Sequence, residues 1–507
     1  MPNRLWTLAL GLSAMLAISQ AMAADDPGFK RVFNGKDLKG WQAPDMTYWS
    51  VEDGAITGRV SEEHPCTANQ YLVWQNGELD DFELKLQHRL TGSPGVNGGI
   101  QFRSRVLPDA DVAGYQVDTN RDTDWLVRLY DEHGRHTLAW RGKQTRWTPE
   151  GMSQEQPLPD GANSGKAAFS LDDWHEYHLI AQVGHLKLLV DGALAAETWD
   201  EDPKQRDLSG ILALQLHSGP PMAAQFKDIR LKRLKLSDGR KKIVLVAGKP
   251  SHGPGEHEYN AGCSLLKKCL DENVPQVQTA LYLNGWPADG TAFDNADAIM
   301  LYMNGGPKHP VMGRNRLAEI DALVKQGVGL VCAHFAVEVP AEKGGPAFQD
   351  WIGGYYENRF STNPHWSAKV ELAPEHPITR GVEPFEALDE WYFNMRFRPN
   401  NQDVVSILKA TPSDQTRQGE TSYPRGPYPH IVDASGRSET LMWAVERPDG
   451  GRGVGFTGGH FHRNWRNDDL RKLMLNALLW AAKVEVPSAG VESQISDEEI
   501  RANLDKK

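Results

Sequence analysis

The sequence predicts two domains of different class, an all-β sandwich followed by an α/β domain with a doubly wound parallel sheet. Short strand-like runs separated by turn residues fill residues 29–236 and leave little helical periodicity there. After residue 242, apolar strand-like runs alternate with segments of helical spacing. A length of 507 residues with 40% hydrophobic content is enough for more than one core.

The first 23 residues have the features of a secretory signal peptide. Arg4 precedes an apolar run, and residues 21–23 (AMA) form a small-x-small cleavage site. The apolar run is too short for a membrane-spanning helix, and no other stretch reaches that length. We therefore expect an exported protein, periplasmic or extracellular, with no membrane span. The four cysteines have no metal-ligand spacing, so few or no disulfides are expected.

The first domain is predicted from runs that alternate polar and apolar residues. They include residues 81–89 (DFELKLQHR), 99–103 (GIQFR), 176–183 (EYHLIAQV), 185–190 (HLKLLV) and 225–232 (QFKDIRLK). Regularly spaced strands of this kind favour a two-sheet sandwich. Residues 145–164 are rich in Pro, Gly and Gln, and we expect a surface loop there.

Polar side chains occur inside several of these runs. Arg103, Gln116, Asp118, Glu132 and His217 each lie in a strand-like segment, where a solvated face would explain any one of them alone. As a group, with two tyrosines beside them, they favour a cleft that recognises sugar hydroxyls by directional hydrogen bonds around an aromatic platform.

Several linked motifs in this half carry a resemblance to a known family. Residues 33–38 (FNGKDL) with 40–41 (GW), then 97–104 (NGGIQFRS), 114–118 (GYQVD), 130–135 (YDEHGR) and 214–217 (LQLH), resemble the 3-keto-disaccharide hydrolase family. The resemblance implies a concanavalin-like jelly roll whose concave face handles sugars, and cleavage of glycosides oxidised at carbon 3. The candidate catalytic residues of this half are Glu132, Asp118, Arg103 and His217, and the candidate substrate-binding residues are Tyr115, Gln116, Tyr130, Arg135 and Gln215.

The second domain is organised around one helix and the strand that follows it. Residues 314–326 place four apolar side chains on one helical face, namely Leu317, Ile320, Leu323 and Val324, and Gly327 can supply a left-handed cap. Residues 328–332 then form a buried strand that ends at His334. Because open parallel sheets present functional side chains at the carboxyl ends of their strands, the chemistry is expected there.

Histidines follow other predicted strands of this domain at equivalent positions. His252 and His257 follow the first strand, His334 the central one, and His460 the last. Carboxyl strand ends meet at one rim, so we expect these residues to bind a divalent metal, zinc, with Glu390 in the first or second ligand shell. Glu390 and Glu338 are the candidate catalytic carboxylates. The alternative is that each histidine bonds only to a local backbone carbonyl.

The same region resembles a second family. Residues 249–259 (KPSHGPGEHEY), His334, 389–392 (DEWY) and 458–460 (GGH) resemble the ThuA-like, trehalose-utilisation family, which implies a class I glutamine amidotransferase-like fold. Amidotransferases carry a nucleophilic cysteine at this strand end, whereas Cys332 here lies inside the strand and is not assigned as a nucleophile. The expected organisation is a signal peptide (1–23), a jelly roll (24–236), a linker (237–242), a ThuA-like domain (243–485) and a charged tail (486–507).

The two resemblances together suggest an exported carbohydrate-active enzyme. We expect it to cleave 3-keto-glycosides, by elimination and hydration or by hydrolysis, and to transform the released keto-sugar in the second domain. A non-catalytic carbohydrate-binding protein and an ordinary glycoside hydrolase are the alternatives. The formal net charge of −12 argues against nucleic acid or an anionic membrane as partner. The sugar, its linkage and the oligomeric state stay open.

Overall fold

The computed structural model of the protein describes residues 26–121, 126–159, 170–373, 375–419 and 425–507. The expected signal peptide and residues 160–164 of the expected loop lie outside this part of the chain. Among the described residues, no helix combines the length and the apolar character needed to span a membrane.

The N-terminal half is an all-β, sandwich-like structure. Its strands are β1 Lys30–Arg31, β2 Trp41–Gln42, β3 Trp49–Glu52, β4 Ala55–Val60, β5 Gln70–Trp74, β6 Phe82–Gly92, β7 Asn97–Val106, β8 Val112–Asn120, β9 Arg128–Glu132, β10 His136–Ala139, β11 Lys143–Trp147, β12 Ser153–Pro157, β13 His175–Gln182, β14 His185–Val190, β15 Ala193–Asp200, β16 Ile211–Leu216 and β17 Met222–Arg233. One sheet has the order β12-β11-β15-β14-β13-β6-β17-β4-β3, with β1 paired to β17, and the other has the order β10-β9-β8-β7-β16-β5-β2.

The two sheets bury their facing side chains in one core. Leu84 and Leu86 of β6 contribute from the first sheet, and Phe102 of β7 and Leu214 of β16 from the second. Residues on β6 alternate between buried and half-buried along most of the strand, as a strand with one face on the core should. Polar residues at alternate positions of β8, β9 and β16 therefore face away from this core.

Residues 145–157 differ from the expected surface loop. Strands β11 and β12 pair in antiparallel register, from Lys143 with Pro157 to Trp147 with Ser153. The amide of Gly151 donates to the carbonyl of Thr148 at 2.9 Å and closes the turn between them. The polar composition concealed this edge hairpin because a strand at a sheet edge can be largely solvated.

The C-terminal half is an α/β structure. Its strands are β18 Lys241–Ala247, β19 Val277–Tyr282, β20 Ala298–Tyr302, β21 Gly329–Ala333, β22 Gly354–Tyr355, β23 His365–Lys369, β24 Glu371–Leu372, β25 Glu386–Glu390, β26 Arg396–Phe397, β27 Val404–Ala410, β28 Glu439–Glu446 and β29 Arg452–Phe456. Its α-helices are α1 Tyr259–Asn273, α2 Arg316–Lys325, α3 Gly345–Ile352, α4 Asp414–Arg417, α5 Pro429–Val432 and α6 Asp468–Ala481.

The main sheet of this half is mixed, which corrects the wholly parallel sheet expected from the sequence. Its order is β19-β18-β20-β21-β29-β28-β27-β24. The pairs from β19 to β29 are parallel, and those from β29 to β24 are antiparallel. Only five residues separate β28 from β29. That connection makes a hairpin, because a parallel crossover needs a dozen or more residues.

The central helix and strand position the site. Ile320 and Val324 are the buried residues of α2, and Gly327 follows at φ 86°. The chain then enters β21, which is buried throughout and ends at Ala333. His334 is therefore the first residue beyond the carboxyl end of a strand in the middle of the sheet.

The last residues of the chain pack against the C-terminal half. Val491 and Ile500 are buried in its core. The Nζ of Lys507 lies 3.2 Å from Oε1 of Glu258 and also donates to the carbonyl of Glu256. The tail thus contacts the loop between β18 and α1, which also carries His257.

Buried charges connect the two halves. Oδ2 of Asp80 lies 2.8 Å from Nζ of Lys242, and its Oδ1 lies 3.4 Å from Nη1 of Arg233. Arg233 also reaches Oδ2 of Asp289 at 3.1 Å. Each of these side chains is at most 4% exposed. We call these four residues the interdomain charge cluster.

Candidate functional site

Three histidines and one glutamate converge at the carboxyl edge of the main C-terminal sheet. His257, His334, Glu390 and His460, here called the histidine centre, have ligand atoms that all lie within 4.8 Å of one another. Nε2 of His257 lies 3.0 Å from Nε2 of His334 and 2.9 Å from Nδ1 of His460. Oε2 of Glu390 lies 3.1 Å from Nδ1 of His460 and 3.4 Å from Nε2 of His334. Four potential ligand atoms from separate segments approach one point.

Hydrogen bonds on the far sides of two rings determine which nitrogens face the centre. Nδ1 of His334 lies 2.9 Å from the carbonyl oxygen of Thr457, which can only accept, so Nε2 keeps its lone pair. Nδ1 of His257 lies 2.6 Å from the hydroxyl of Tyr259, and that hydroxyl donates to Oδ1 of Asn304 at 3.0 Å. His257 then donates to Tyr259 and also presents a lone pair. Two lone pairs facing each other at 3.0 Å favour a cation between them.

The electrostatics of the centre agree with this geometry. Burial, together with His334, His252 and His460, lowers the pKa of His257 and keeps its imidazole neutral. Burial opposes ionisation of Glu390, but His334 and His460 outweigh it and hold its pKa at about 2. Burial lowers the pKa of His460, but the hydrogen bond and the charge of Glu390 outweigh it and raise that pKa above its ordinary value. A carboxylate with three imidazoles, once the imidazoles are neutral, is a donor set that zinc binds in proteins.

A buried carboxylate behind the centre fixes the loop that carries His460. Asp389 is fully buried. Its oxygens accept from the amides of Gly459 at 2.8 Å, His460 at 3.0 Å and Phe461 at 3.3 Å, and from Nδ2 of Asn464 at 2.9 Å. Asp389 therefore holds the backbone of the loop while the adjacent Glu390 faces the centre.

Three histidines at this rim have left-handed backbones. The φ angles are 63° at His252, 47° at His257 and 53° at His334. This region is uncommon for residues other than glycine, and such conformations cluster at functional sites.

Two further histidines lie at the rim of the centre. His252, expected from the sequence to be a ligand, is not among the four converging residues. Its ring stacks beside that of His257 with centroids 3.6 Å apart, and its Nδ1 lies 3.1 Å from Oγ of Ser251. His252 lies in an exposed bend outside any strand, and its ring borders the centre without belonging to the four converging residues. His365 lies on the other side, with Nε2 3.9 Å from Oε1 of Glu390.

Glu338 lies beside the centre, and its carboxyl group makes no hydrogen bond to the described residues, although its backbone carbonyl accepts from the amide of Gly306 at 2.8 Å. Burial, with a smaller contribution from Glu390, raises the pKa of its carboxyl to about 7. A Cβ on Gly306 would lie 3.1 Å from Oε1 of Glu338, so a larger residue at that position would crowd the carboxyl group. A carboxyl group that titrates near neutral pH beside potential metal ligands is suited to proton transfer.

A second group of polar residues lies on the outward face of the N-terminal sheet that contains β7, β8, β9 and β16. We call it the sheet-face cluster, and it comprises Gln116, Asp118, Arg128, Tyr130, Glu132, Gln215 and His217. Because Tyr115, Val117, Leu129 and Leu214 point into the core between the sheets, their neighbours along each strand face outward.

Hydrogen bonds order part of this cluster. Nε of Arg128 donates to Oδ2 of Asp118 at 2.7 Å, and its guanidinium lies 4.3 Å from the ring centroid of Tyr130. Nε2 of Gln116 donates to Oε1 of Gln215 at 2.7 Å. The cluster thus holds a fixed cation, fixed amides and an aromatic ring on one face, where Gln116, Arg128 and Gln215 are buried and Tyr130 is half-buried.

Titratable groups in the cluster differ in their environment. Burial raises the pKa of Glu132, and Asp111 and Asp118 add to this effect. Burial also raises the pKa of Asp118, although Arg128 opposes it. Nδ1 of His217 lies 2.6 Å from the carbonyl oxygen of Ser218, so its Nε2 presents a lone pair. The face therefore combines a carboxyl group of raised pKa with an imidazole nitrogen that has a lone pair.

Arg103 is not part of this cluster, which corrects its placement in the cleft. Its guanidinium is buried and donates to the carbonyl of Asp80 at 2.7 Å and to Oδ1 of Asp81 at 2.8 Å. The register of β7 against β8 shifts between Phe102 and Arg105, and Arg103 has a φ of 48°. This bulge reverses the direction that alternation assigns to Arg103.

Tyr115 and Arg135 also lie away from the outward face. The Tyr115 hydroxyl donates to Oδ2 of Asp200 inside the sandwich and accepts from the amide of Asp207 at 3.0 Å. Nη1 of Arg135 donates to Oδ1 of Asp200 at 2.9 Å, and its Nε donates to Oδ2 of Asp131 at 3.2 Å. Both side chains are engaged in contacts that stabilise the sandwich, which corrects their interpretation as substrate-binding residues.

Sequence reasoning missed three residues that shape the two sites. Arg128 lies two positions before Tyr130, so strand alternation alone places it on the same face. Asp389 precedes Glu390 on β25, and opposite side-chain directions account for its separate role. Tyr259 orients His257 from the first turn of α1, and no local signal indicated this contact.

Two family models match the chain. Residues 28–232 match the 3-keto-alpha-glucoside-1,2-lyase-like domain, and residues 243–481 match the trehalose utilisation (ThuA) domain. The chain combines these two domains. The histidine centre lies in the ThuA domain and the sheet-face cluster in the lyase-like domain. No curated protein is significantly similar to the chain in sequence.

Three solved structures that resemble the chain each cover less than half of it. A protein from Bacteroides uniformis described as ThuA-like is 16% identical, with 49% of this chain and 94% of that chain covered and a TM-score of 0.34. A protein from Parabacteroides distasonis described as a glycosyl hydrolase is 17% identical, with 41% and 94% covered and a TM-score of 0.27. A carbohydrate-binding module from Bacillus subtilis is 16% identical, with 38% and 95% covered and a TM-score of 0.26.

Proposed function

We propose that the protein is an exported enzyme that cleaves 3-keto-glycosides in its lyase-like domain and transforms the released keto-sugar in its ThuA domain. The observation that carries the proposal is the sheet-face cluster, where a carboxyl group of raised pKa, an imidazole nitrogen with a lone pair and a hydrogen-bonded guanidinium share one face. We also propose that the sandwich is a concanavalin-like jelly roll and that the ThuA domain has a class I glutamine amidotransferase-like fold.

The cleavage step needs a base, an enolate stabiliser and an acid. A carbonyl at carbon 3 acidifies the proton on carbon 2, so Nε2 of His217 is the proposed base. Arg128 is positioned by Asp118 and is the proposed partner of the enolate oxygen. Glu132 has a raised pKa and is the proposed donor of a proton to the departing oxygen at carbon 1. Water then adds to the unsaturated sugar.

The donor set of the histidine centre fits a divalent metal, and we propose zinc held by His257, His334, His460 and Glu390. When bound, such an ion supplies Lewis-acid stabilisation of a sugar oxygen. Tyr259 and the Thr457 carbonyl keep the histidine lone pairs directed inward. Glu338 is the proposed group that gives or takes a proton at the substrate.

Cleavage is tested with a 3-keto-disaccharide and its unoxidised parent. We expect the mature chain to release product from the keto substrate alone. The variants His217→Gln and Glu132→Gln should each lower kcat/KM by about 10²-fold or more. Arg31→Gln is the matched control, since Arg31 lies on the exposed strand β1 and pairs with Asp228 of β17.

Other outcomes would contradict the proposal in distinct ways. Equal cleavage of both disaccharides would favour an ordinary glycoside hydrolase, and binding of either without product would favour a carbohydrate-binding protein. Cleavage by a variant in which His217, Arg128 and Glu132 are all replaced would assign the reaction to the ThuA domain.

Metal binding is tested by elemental analysis of the purified protein. We expect about one equivalent of zinc per chain, and loss of that zinc in the variant His334→Ala. His376→Ala is the control, because His376 instead caps the short helix at Pro377–Thr379. Full zinc content in His334→Ala would defeat the metal site.

A further inference from the structure

A cavity adjoins the histidine centre and is lined by three cationic side chains. Its volume is about 660 Å³, within the range of small-molecule sites. Lys249, Lys308 and Arg316 line it together with Asn284, Asn304 and Trp286, and none of its described lining residues is acidic. This concentration of positive charge is unexpected in a chain with a net charge of −12.

Two lining residues connect the cavity directly to the centre. Oδ1 of Asn304 accepts from the hydroxyl of Tyr259, which contacts Nδ1 of His257. Phe335 follows His334 in the chain, and its ring centroid lies 5.7 Å from that of His257. A ligand in the cavity would therefore lie next to the metal-binding residues.

The cations are available to a ligand. Within the described part of the chain, Lys249, Lys308 and Arg316 make no ion pair with a carboxylate. Arg316 is held in place because its Nη1 donates to the carbonyl of Pro310 at 3.0 Å and its guanidinium lies 5.0 Å from the ring centroid of Trp286. Burial and the nearby Arg314 lower the pKa of Arg316, against a smaller effect of Glu319.

We propose that this cavity binds the anionic group of an acidic sugar, a carboxylate or a phosphate, and presents the sugar to the histidine centre. The inference rests on the proposed function and specifies the substrate class of the ThuA domain. Fixed guanidinium and mobile ammonium groups suit an anion, while the amides of Asn284 and Asn304 suit hydroxyls. Trp286 and Phe335 supply apolar walls for the carbon face of a sugar ring.

The test is calorimetric titration of the full, zinc-loaded chain with glucuronate, glucose 6-phosphate, glucose and inorganic phosphate. We expect at least one of the two acidic sugars to bind about tenfold or more tightly than glucose, and to bind more tightly than inorganic phosphate. Comparison of the two acidic sugars identifies carboxylate or phosphate as the recognised group.

Two double variants with equal charge change locate the site. Lys249→Gln with Lys308→Gln should remove the preference for the acidic sugar and leave the zinc content unchanged. Lys343→Gln with Lys369→Gln changes exposed lysines outside the cavity and should keep the preference. A preference that survives the first double variant, or inorganic phosphate that binds as tightly as the acidic sugar, would overturn the proposal. Zinc content and keto-disaccharide cleavage, measured on the same samples, report separately on the proposed function.

Discussion

Glu338 makes the stability of the metal-free protein depend on pH. Its pKa is about 7 in the folded chain against an ordinary value of 4.5. The folded state therefore binds this proton more tightly than the unfolded state, and the free energy of unfolding should fall as pH rises from about 4.5 to about 7.

The variant Glu338→Gln should remove this dependence. The difference in free energy of unfolding between this variant and the unchanged protein should grow in favour of the variant by about 1–3 kcal/mol from pH 5 to pH 8. The reason is that the variant forms no buried carboxylate as pH rises. Urea denaturation in the presence of a chelator measures the difference. Glu371→Gln, at an exposed position, is the control. Parallel pH profiles for Glu338→Gln and the unchanged protein would contradict the prediction.

Tyr259 is predicted to tune the proposed metal site without entering it. Its hydroxyl lies 2.6 Å from Nδ1 of His257 and orients that ring. We expect Tyr259→Phe to weaken zinc affinity about 10–100-fold, as losses of such outer contacts typically do. Competition with a chromogenic chelator gives the affinity. Tyr177→Phe is the matched control, since the buried Tyr177 hydroxyl has no hydrogen-bond partner in the described chain.

At the scale of secondary structure, the β25 strand end supports the loop after β29. Asp389→Asn replaces an oxygen that accepts backbone amides with a nitrogen that cannot accept them. We expect a loss of about 2–4 kcal/mol in the free energy of unfolding and weaker zinc binding through displacement of His460. Denaturation and chelator competition on the same samples measure both effects.

Asn363→Asp is a useful comparison for that prediction. Nδ2 of Asn363 donates to Oε1 of Glu390, so this variant disturbs the carboxylate of the centre without affecting the loop backbone. It should weaken zinc binding with a smaller loss of stability than Asp389→Asn. The opposite ranking of the two stabilities would contradict the role given to Asp389.

Strand and helix periodicity predicted much of the fold, and local exceptions limited it. The sequence pattern predicted the helix before Gly327, the buried strand after it and the position of His334 at the strand end. It misassigned Arg103, because a bulge depends on pairing with β8 and leaves no mark in the alternation of β7. It also missed the antiparallel half of the main sheet, which is set by a short connection between β28 and β29.

The same limits apply to the candidate sites. Gln116, Asp118, Tyr130 and Glu132 share a face because they lie at alternate positions of regular strands, which a sequence can indicate. The contact between Tyr259 and His257 depends instead on how a loop folds onto the start of a helix. Such tertiary contacts cannot be read from local spacing.

At the scale of the whole molecule, the interdomain charge cluster couples the two domains. Burial alone would raise the pKa of Asp80, but Lys242 and Arg233 outweigh it and hold that pKa below its ordinary value. Removal of the carboxylate leaves two buried cations with less compensation, which is strongly destabilising.

We expect Asp80→Asn to lower the free energy of unfolding by about 3–5 kcal/mol and to separate the thermal unfolding of the two domains. Differential scanning calorimetry measures both effects. Asp294→Asn is the control, because its partner Lys30 lies in the other domain but both side chains are more than a third exposed. That exposed pair should contribute less than about 1 kcal/mol. Equal effects of the two variants would contradict the role of the buried cluster.

The left-handed backbones at His252, His257 and His334 have an evolutionary consequence. Glycine would relieve the steric cost at each position, so an imidazole there carries a conformational cost that a function of the side chain must offset. A descendant of this chain that no longer needed the centre should accumulate glycine or asparagine at these three positions before its core changes. The left-handed backbone conformation would then be retained after the side chains that act in the centre had been replaced.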